Sequence, residues 1–433
     1  MKSSTFQMTL LAVFGFFAVV AIFAFAGLIP IFQKGDEVTG NVVMWGTMPA
    51  AALESVLDEI MREETGLKLS YVEKSAATFD DEFIEALAAR RGPDLFFLPQ
   101  DYILKYEDKV FAIPYESFSE REFKDSYVEE GELYLTPSGA LGLPVVVDPM
   151  VMYWNRDLFA TEGIANPPAL WEEFLVLPSK LTKRDGAGNV RQSAVSLGEF
   201  ANVHHAKDII AMLMLQLGNP IVARDEAGRP ASTLLDGAGA VQPGESSLRF
   251  FVGFSDPAKP TYSWNRSLAP SRQAFAAGKS AVYFGYASEF LDMRARNPHL
   301  NFDVARVPQV RGAKTRVNFG RVEALAITRA SQNPRAAFYA AGLIASADRA
   351  AALAEKRHLS PARRGLLGAT PKDPYLAIFY ESALTARGWL DPSPAETDRI
   401  FEEMVGNITS GKYRVSEALT AARDELERLL EQP

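Results

Sequence analysis

The chain has 433 residues, 48% hydrophobic and 23% charged, with a formal net charge of −9; this is ordinary globular composition with apolar material for two or three domains. It has no cysteine, which excludes disulfides, thiolate nucleophiles, cysteine metal sites and a lipid-modified cysteine anchor. The acidic balance lacks the basic footprint of a nucleic-acid binder, so no nucleic acid is expected as a partner.

Lys2 is the only charge before Lys34, and the residues from Met8 to Phe32 are almost wholly apolar. About 20 such residues in a helix span a bilayer core of ~30 Å. Residues 1–35 are therefore expected to be a membrane anchor or signal segment, with residues 10–32 in the membrane. Ala24-Phe25-Ala26 before Gly27 fits a secretory cleavage pattern, but the apolar run continues to Phe32 and favours an uncleaved anchor. Under either reading residues 36–433 lie outside the cell membrane, because the lysine-first order keeps the N-terminus inside.

The exported chain begins with alternating strands and helices. Asn41–Trp45 reads as a short buried strand. Ala50–Glu64 is amphipathic, with Leu53, Val56, Leu57, Ile60 and Met61 at helical spacing, and Gly66 stops it. Leu67–Val72 alternates like a strand. Asp80–Arg91 reads as a second helix, and Pro93–Leu98 as a continuous apolar strand of the kind buried on both faces. This βαβαβ order predicts an open α/β sheet with right-handed crossovers. Ligands in such sheets sit beyond the carboxyl ends of the strands. That places Trp45 and Thr47 after the first strand, and Gln100, Asp101 and Tyr102 after the third, among the candidate ligand contacts.

Further along, Gly142-Leu-Pro144 leads to Asp148 and then to Tyr153-Trp-Asn-Arg-Asp-Leu-Phe159. Pro167-Pro-Ala-Leu-Trp-Glu-Glu173 opens a helix expected to reach Leu181. Residues 183–192 and 223–230 are turn-rich hairpin tips, and 235–247 is a glycine-rich polar loop. Asp236-Gly-Ala-Gly-Ala-Val lacks the third glycine of a dinucleotide fingerprint. Gln273–Val282, Phe302–Pro308, Ser331–Phe338 and Ser416–Ala422 follow as further distinctive segments.

Taken in this order, these segments resemble the family 1 extracellular solute-binding proteins of ABC transporters, which include maltodextrin- and other sugar-binding members. The family pattern has a Gly-x-Pro strand, an acidic residue, a Tyr-Asn-Lys-Asp-Leu-Phe-like segment and a Pro-Pro-x-Thr-Trp-x-Glu helix start. Here Trp154 stands where tyrosine is usual, and Leu170 where threonine is usual. The resemblance implies a two-lobed α/β fold of the periplasmic-binding-protein type (type II). One lobe would hold 36–145 plus 322–365, and the other 148–318 plus 366–433. The chain would cross between them at Val145–Asp148, at Phe319–Ala324 and after Ser360.

The resemblance also implies a small-molecule ligand, a sugar, held between the lobes and passed to transporter permease subunits at the outer face of the plasma membrane. Asp101 and Asp148 match acidic ligand contacts of the maltodextrin-binding members. Trp154, Trp264 and Trp389 fall in segments that the family brings to its cleft, whereas Trp171 reads as a packing residue. Tyr286, Ser288 and Glu289 follow the strand Ala281–Gly285, and Glu289 completes the set of candidate contacts. Arg321 either reaches an anionic ligand or pairs with Glu323; Asn202 and His204 precede a helix expected over Asp208–Leu217.

No cofactor and no metal are expected, since the four histidines lack ligand spacing. Neither a Gly-x-Ser-x-Gly elbow nor a His-Glu-x-x-His motif occurs, so the chain is read as a receptor and not as an enzyme. Two alternatives stay open: an adhesion or sensory module on the same fold, and an envelope glycoside hydrolase using Asp101, Asp148 and Glu289 as paired carboxylates.

Overall fold

The computed structural model describes residues 38–431 apart from 226, 238–241 and 370. The membrane segment expected over residues 10–32, and the middle of the 235–247 loop, lie outside the described residues. Among the described residues no helix is long and apolar enough to cross a membrane.

The first half of the sheet follows the expected order. Strand β1 (Gly40–Gly46) leads to helix α1 (Ala50–Glu63), β2 (Leu67–Glu73), α2 (Phe79–Ala88) and β3 (Leu95–Pro99). Helix α1 buries Leu53, Val56, Leu57 and Ile60, one stripe at 3.6-residue spacing. β1 pairs in parallel with both β2 and β3. The apolar run of β3 is buried on both faces, as its composition predicts. Its second neighbour, however, runs antiparallel: β7 (Asn318–Ile327) pairs Ile327 with Leu95 and Glu323 with Pro99. A continuous apolar strand signals central position and leaves the direction of its neighbours open.

The strand after the Gly-x-Pro motif is β4 (Leu143–Asn155), 13 residues long. Its first half pairs with β7, opposing Asp148 to Arg321 and Leu143 to Leu325. Its second half pairs with β5 (Val282–Tyr286) and β6 (Phe302–Ala305). Residues 360–361 form β8 against Val146 and Val147, and residues 386–387 form β9 beside the start of β7. The sheet thus runs β5-β4-β7-β3-β1-β2, with β6, β8 and β9 attached to its long strands. Asp148 lies where β4 changes partners, and it is the only residue of that strand that is not fully buried.

Helices cover both regions: α3 (Ala206–Gln216), α4 (Pro243–Val252), α5 (Pro334–Ile344), α6 (Ala347–Arg357), α7 (Pro374–Ala383), α8 (Pro394–Thr409) and α9 (Val415–Leu430). Residues 183–192 form an antiparallel hairpin, and residues 222–224 pair antiparallel with 230–232, as the turn-rich composition between them predicts. The helix expected from Trp171 to Leu181 is broken into a 3₁₀ turn (Trp171–Leu175) and a short helix (Leu177–Leu181). Pro178 stands in the first turn of the second piece, where its missing N–H leaves no helical bond unmade; inside one continuous helix it would break the bond to Phe174 and crowd that carbonyl.

Candidate functional site

Four separate stretches of chain meet around a polar cavity of about 350 Å³. The turn after β3 contributes Asp101. The start of α3 contributes His205, Lys207 and Asp208, and β7 contributes Arg321. Asp398 of α8 closes one side. His205 precedes α3 with a left-handed backbone (φ 58°, ψ 29°), which turns the chain sharply into the helix and sets its first turn against the cavity.

Charge is arranged here in linked pairs. Arg321 donates to Asp208 at 2.7 Å and lies over the Tyr286 ring, 4.2 Å from its centre. The Tyr286 hydroxyl donates to the same Asp208 oxygen at 2.7 Å. Burial opposes ionisation of Asp208, but Arg321 foremost, with His205 and Lys207, outweighs it and holds the carboxyl below its ordinary range. Lys207 bonds Asp391 at 3.0 Å, the Thr397 hydroxyl at 3.0 Å and the carbonyl of Pro394 at 3.1 Å. Burial would lower its pKa, yet the Asp391 carboxylate leads the neighbours that raise it.

Asp101 and Asp148 differ from Asp208. Burial pushes each up to about 6; Arg321 opposes the shift at Asp101, and bonds from Ser288 oppose it at Asp148. Asp148 accepts from the Ser288 backbone N–H at 3.0 Å. Glu289 sits behind them and accepts from His205 (2.7 Å), Tyr283 (2.7 Å) and the Tyr286 N–H (2.9 Å). Burial would raise it, but the His205 bond leads a set that brings it down to about 2. A hydrolytic pair needs carboxyls pushed to different pKa values. Here the two accessible ones are raised alike, and the ionised third is locked in hydrogen bonds.

Of the residues picked out from the sequence, Asp101 and Arg321 line the cavity, and Asp148, Tyr286 and Glu289 belong to the bonded frame around it. The others lie elsewhere. Gln100 is fully buried; its amide donates to the Gly320 carbonyl (2.8 Å) and accepts from the Val322 N–H (3.1 Å), so it clamps the turn to β7. Trp264 is corrected to a core residue: it is 0% exposed and donates to Asn202 at 2.9 Å. Trp154 packs edge-on to Phe159, and Trp389 against Phe401, both enclosed in the core. Tyr102 stacks on Tyr106. Trp45 is half-buried with the Lys74 ammonium 3.9 Å above its ring, and Thr47 is exposed; neither lines this cavity. Arg321 pairs with Asp208, while Glu323 takes Arg357 at 2.6 Å instead.

Sequence reasoning missed His205, Lys207, Asp208 and Asp398. A signal was present for two of them. Lys207 and Asp208 are the only charges of α3, whose remaining residues to Gln216 are nearly all apolar. Charges in the first turn of a buried helix need partners.

Comparison with known proteins adds to this geometry. The sequence profile described as bacterial extracellular solute-binding protein matches residues 45–348. Proteins provisionally named binding proteins in Brucella abortus (strain 2308) and Brucella suis biovar 1 are 25% identical over 154 residues, 35% of this chain. Those alignments span 37% of each relative's length. Among solved structures, a cyclo/maltodextrin-binding protein complexed with maltotetraose superposes with a TM-score of 0.74 at 15% identity, over 92% of this chain and 99% of that one. The GacH receptor of Streptomyces glaucescens, solved unliganded and with acarbose, gives 0.68 at 18% identity over 92% and 100%. A substrate-binding protein from Listeria monocytogenes in complex with cycloalternan gives 0.67 at 16% over 90% and 98%. At these identities the likeness is one of fold.

Proposed function

The chain belongs to the bacterial extracellular solute-binding proteins, and from that premise we propose that it is a receptor that captures a carbohydrate in the Asp101–Arg321 cavity and delivers it to an ABC transporter. The single observation that carries the ligand reading is the cavity itself. Asp101, Lys207 and Arg321 converge on about 350 Å³ with planar and charged hydrogen-bonding groups, the means by which hydroxyl-rich solutes are recognised. The similar folds solved with maltotetraose, acarbose and cycloalternan support the choice of a sugar.

The proposed lobes are 36–145 plus 322–365 and 148–318 plus 366–433. The change of partners along β4 at Asp148, opposite Arg321 of β7, supports this division. On that division the cavity falls between the lobes, with Asp101 on one side and α3 on the other. Residues 10–32 hold the receptor at the outer face of the plasma membrane, a reading that rests on the length and apolarity of that segment.

The test is a thermal-shift screen of mono- and oligosaccharides on the full-length chain, followed by calorimetry of each hit with wild type and Asp101→Asn. A sugar that stabilises wild type and binds the variant at least ~10-fold more weakly is expected, since a charged acceptor is lost. Stabilisation by another solute class alone, with no sugar active, would sink the carbohydrate reading and leave the family intact.

A further inference from the structure

Six ionisable side chains line the Asp101–Arg321 cavity: Asp101, His205, Lys207, Asp208, Arg321 and Asp398. Five of them have a partner able to carry the opposite charge. Arg321 pairs with Asp208 at 2.7 Å. Lys207 pairs with Asp391 at 3.0 Å and with Asp398 at 3.3 Å. His205 meets Glu289 at 2.7 Å through Nε2. Asp101 is the exception. Among the described residues it is in no ion pair and accepts no hydrogen bond. It is half-buried, yet its carboxyl oxygens stay within reach of solvent. Arg321 and Lys207 attract it only from beyond pairing distance, while Asp208 and Asp391 repel it.

A carboxylate drawn out of water without a counter-charge is costly, and such groups are ordinarily paired. Burial raises Asp101 only to about 6, so the charge is present at pH 7. The ligand is then the group left to compensate it. An anionic ligand fits poorly, because both lining cations are already committed to carboxylates and Asp101 would repel it. A neutral hydroxyl gives Asp101 a donor and leaves its charge uncompensated. An ammonium supplies the donor and the counter-charge together, and such charge-assisted bonds are roughly twice as strong as neutral ones.

We propose that the preferred solute is a saccharide bearing a free amine, an amino sugar, and that Asp101 takes its ammonium and sets the preference over the neutral sugar. This rests on the carbohydrate reading above and narrows it. The cavity, about 350 Å³, lies at the lower end of the ~300–1,000 Å³ range of small-ligand pockets, so a ring that fills it lies close to Asp101. Phe200 and Val203 add apolar lining for the ring carbons, and the remaining hydroxyls face groups whose charges are already balanced.

The probes are glucose, glucosamine, N-acetylglucosamine and glucuronate, with the corresponding galactose and mannose series and the disaccharides cellobiose and fully deacetylated chitobiose. Calorimetry at pH 7 on the full-length chain should show an amine bound at least ~10-fold tighter than its neutral parent. The N-acetyl form keeps an N–H donor but loses the charge, and should bind no better than the parent; the uronate should bind worst. In Asp101→Asn the ratio of amine to neutral affinity should fall to about one, a change that mere loss of folded protein would not produce. Neutral sugars that bind while no amine exceeds its parent would overturn the proposal and leave the carbohydrate receptor standing. A uronate bound more tightly than its parent would overturn it in the same way. A preference for the amine that survives Asp101→Asn would put the ammonium elsewhere and remove the role given to Asp101. If no member of any series binds, the carbohydrate reading falls and this inference with it.

Discussion

At the scale of single residues, Asp101 and Gln100 stand side by side in one turn and do opposite things. Asp101 faces the cavity, and burial raises its carboxyl to about 6. Its folded-state pKa therefore lies above that of the unfolded chain. The associated stability is complete below roughly pH 4, the ordinary carboxylate value, and is lost as pH rises through about 6. Asp148 shifts in the same direction. Asp101→Asn should accordingly flatten, without abolishing, the fall in unliganded melting temperature between pH ~4 and ~6. Sugar affinity should run the other way in wild type, rising with pH through that window as the stronger acceptor forms, and should be nearly pH-independent in the variant. Calorimetry across pH checks both; an unchanged stability profile would show that Asp101 is solvated. Gln100→Leu removes both bonds to β7 and leaves the Gly320 carbonyl and the Val322 N–H unpaired in the core. A loss of about 1–3 kcal/mol per unpaired group is expected in denaturant titrations.

At the scale of elements, the short 3₁₀ turn at Trp171 joins three parts of the molecule. The indole N–H donates to Gln216 at the end of α3 at 2.6 Å. Its ring meets Phe174, Phe250 of α4 and Phe284 of β5, each at 5.4 Å. Gln216 in turn donates to the carbonyls of Pro308 and Val317, the latter just before β7. Trp171→Ala should cost about 3–5 kcal/mol through the cavity it leaves, while sugar affinity measured below the melting transition stays near wild type. A variant that melts normally but has lost its ligand would mean that Trp171 reaches the cleft by a rearrangement. β7 is built just as tightly. A Cβ on Gly320 would fall 2.6 Å from a Glu130 carboxylate oxygen and 2.9 Å from Ala386. Gly320→Ala should therefore lower the melting temperature of the unliganded protein, an overpacking effect of about 1–3 kcal/mol.

At the scale of the whole molecule, one contact between the proposed lobes away from the crossing strands is the pair of Arg224 with Glu107 at 2.8 Å. A ligand that touches Asp101 on one side and α3 on the other favours the arrangement that brings them together, by the difference in its affinity for the two states. Small-angle scattering with saturating sugar should show a smaller radius of gyration than without it. Arg224→Glu should widen that difference by loosening the unliganded protein, and should raise the sugar dissociation constant several-fold at low salt, less at high salt. An identical radius with and without a tightly bound sugar would refute the lobe boundaries.

Much of the architecture was legible because it is written locally. The stripe of Leu53, Val56, Leu57 and Ile60, the apolar run of Leu95–Leu98 and the turn residues of the two hairpins each act over a few neighbours, and all form where their pattern predicts. The ordered motifs from Pro144 to Ala422 pointed to the family for the same reason. The division of the aromatic residues was not legible. Trp45, Trp154, Trp264 and Trp389 all fall in segments expected at the cleft, and Trp154 and Trp264 both precede Asn-Arg, yet among the four Trp45 alone keeps a partly open face. Whether an indole is enclosed depends on partners such as Asn202, 62 residues from Trp264, and on helices that pack over it. The charged cavity has the same origin. Asp101, Asp208 and Arg321 lie far apart in the chain, and the pairing of β7 with β3 together with the packing of α3 on β7 brings their side chains together. Sequence fixes what each segment prefers; which side chains meet is decided by tertiary packing, because burial and charge pairing are properties of neighbours distant in the chain.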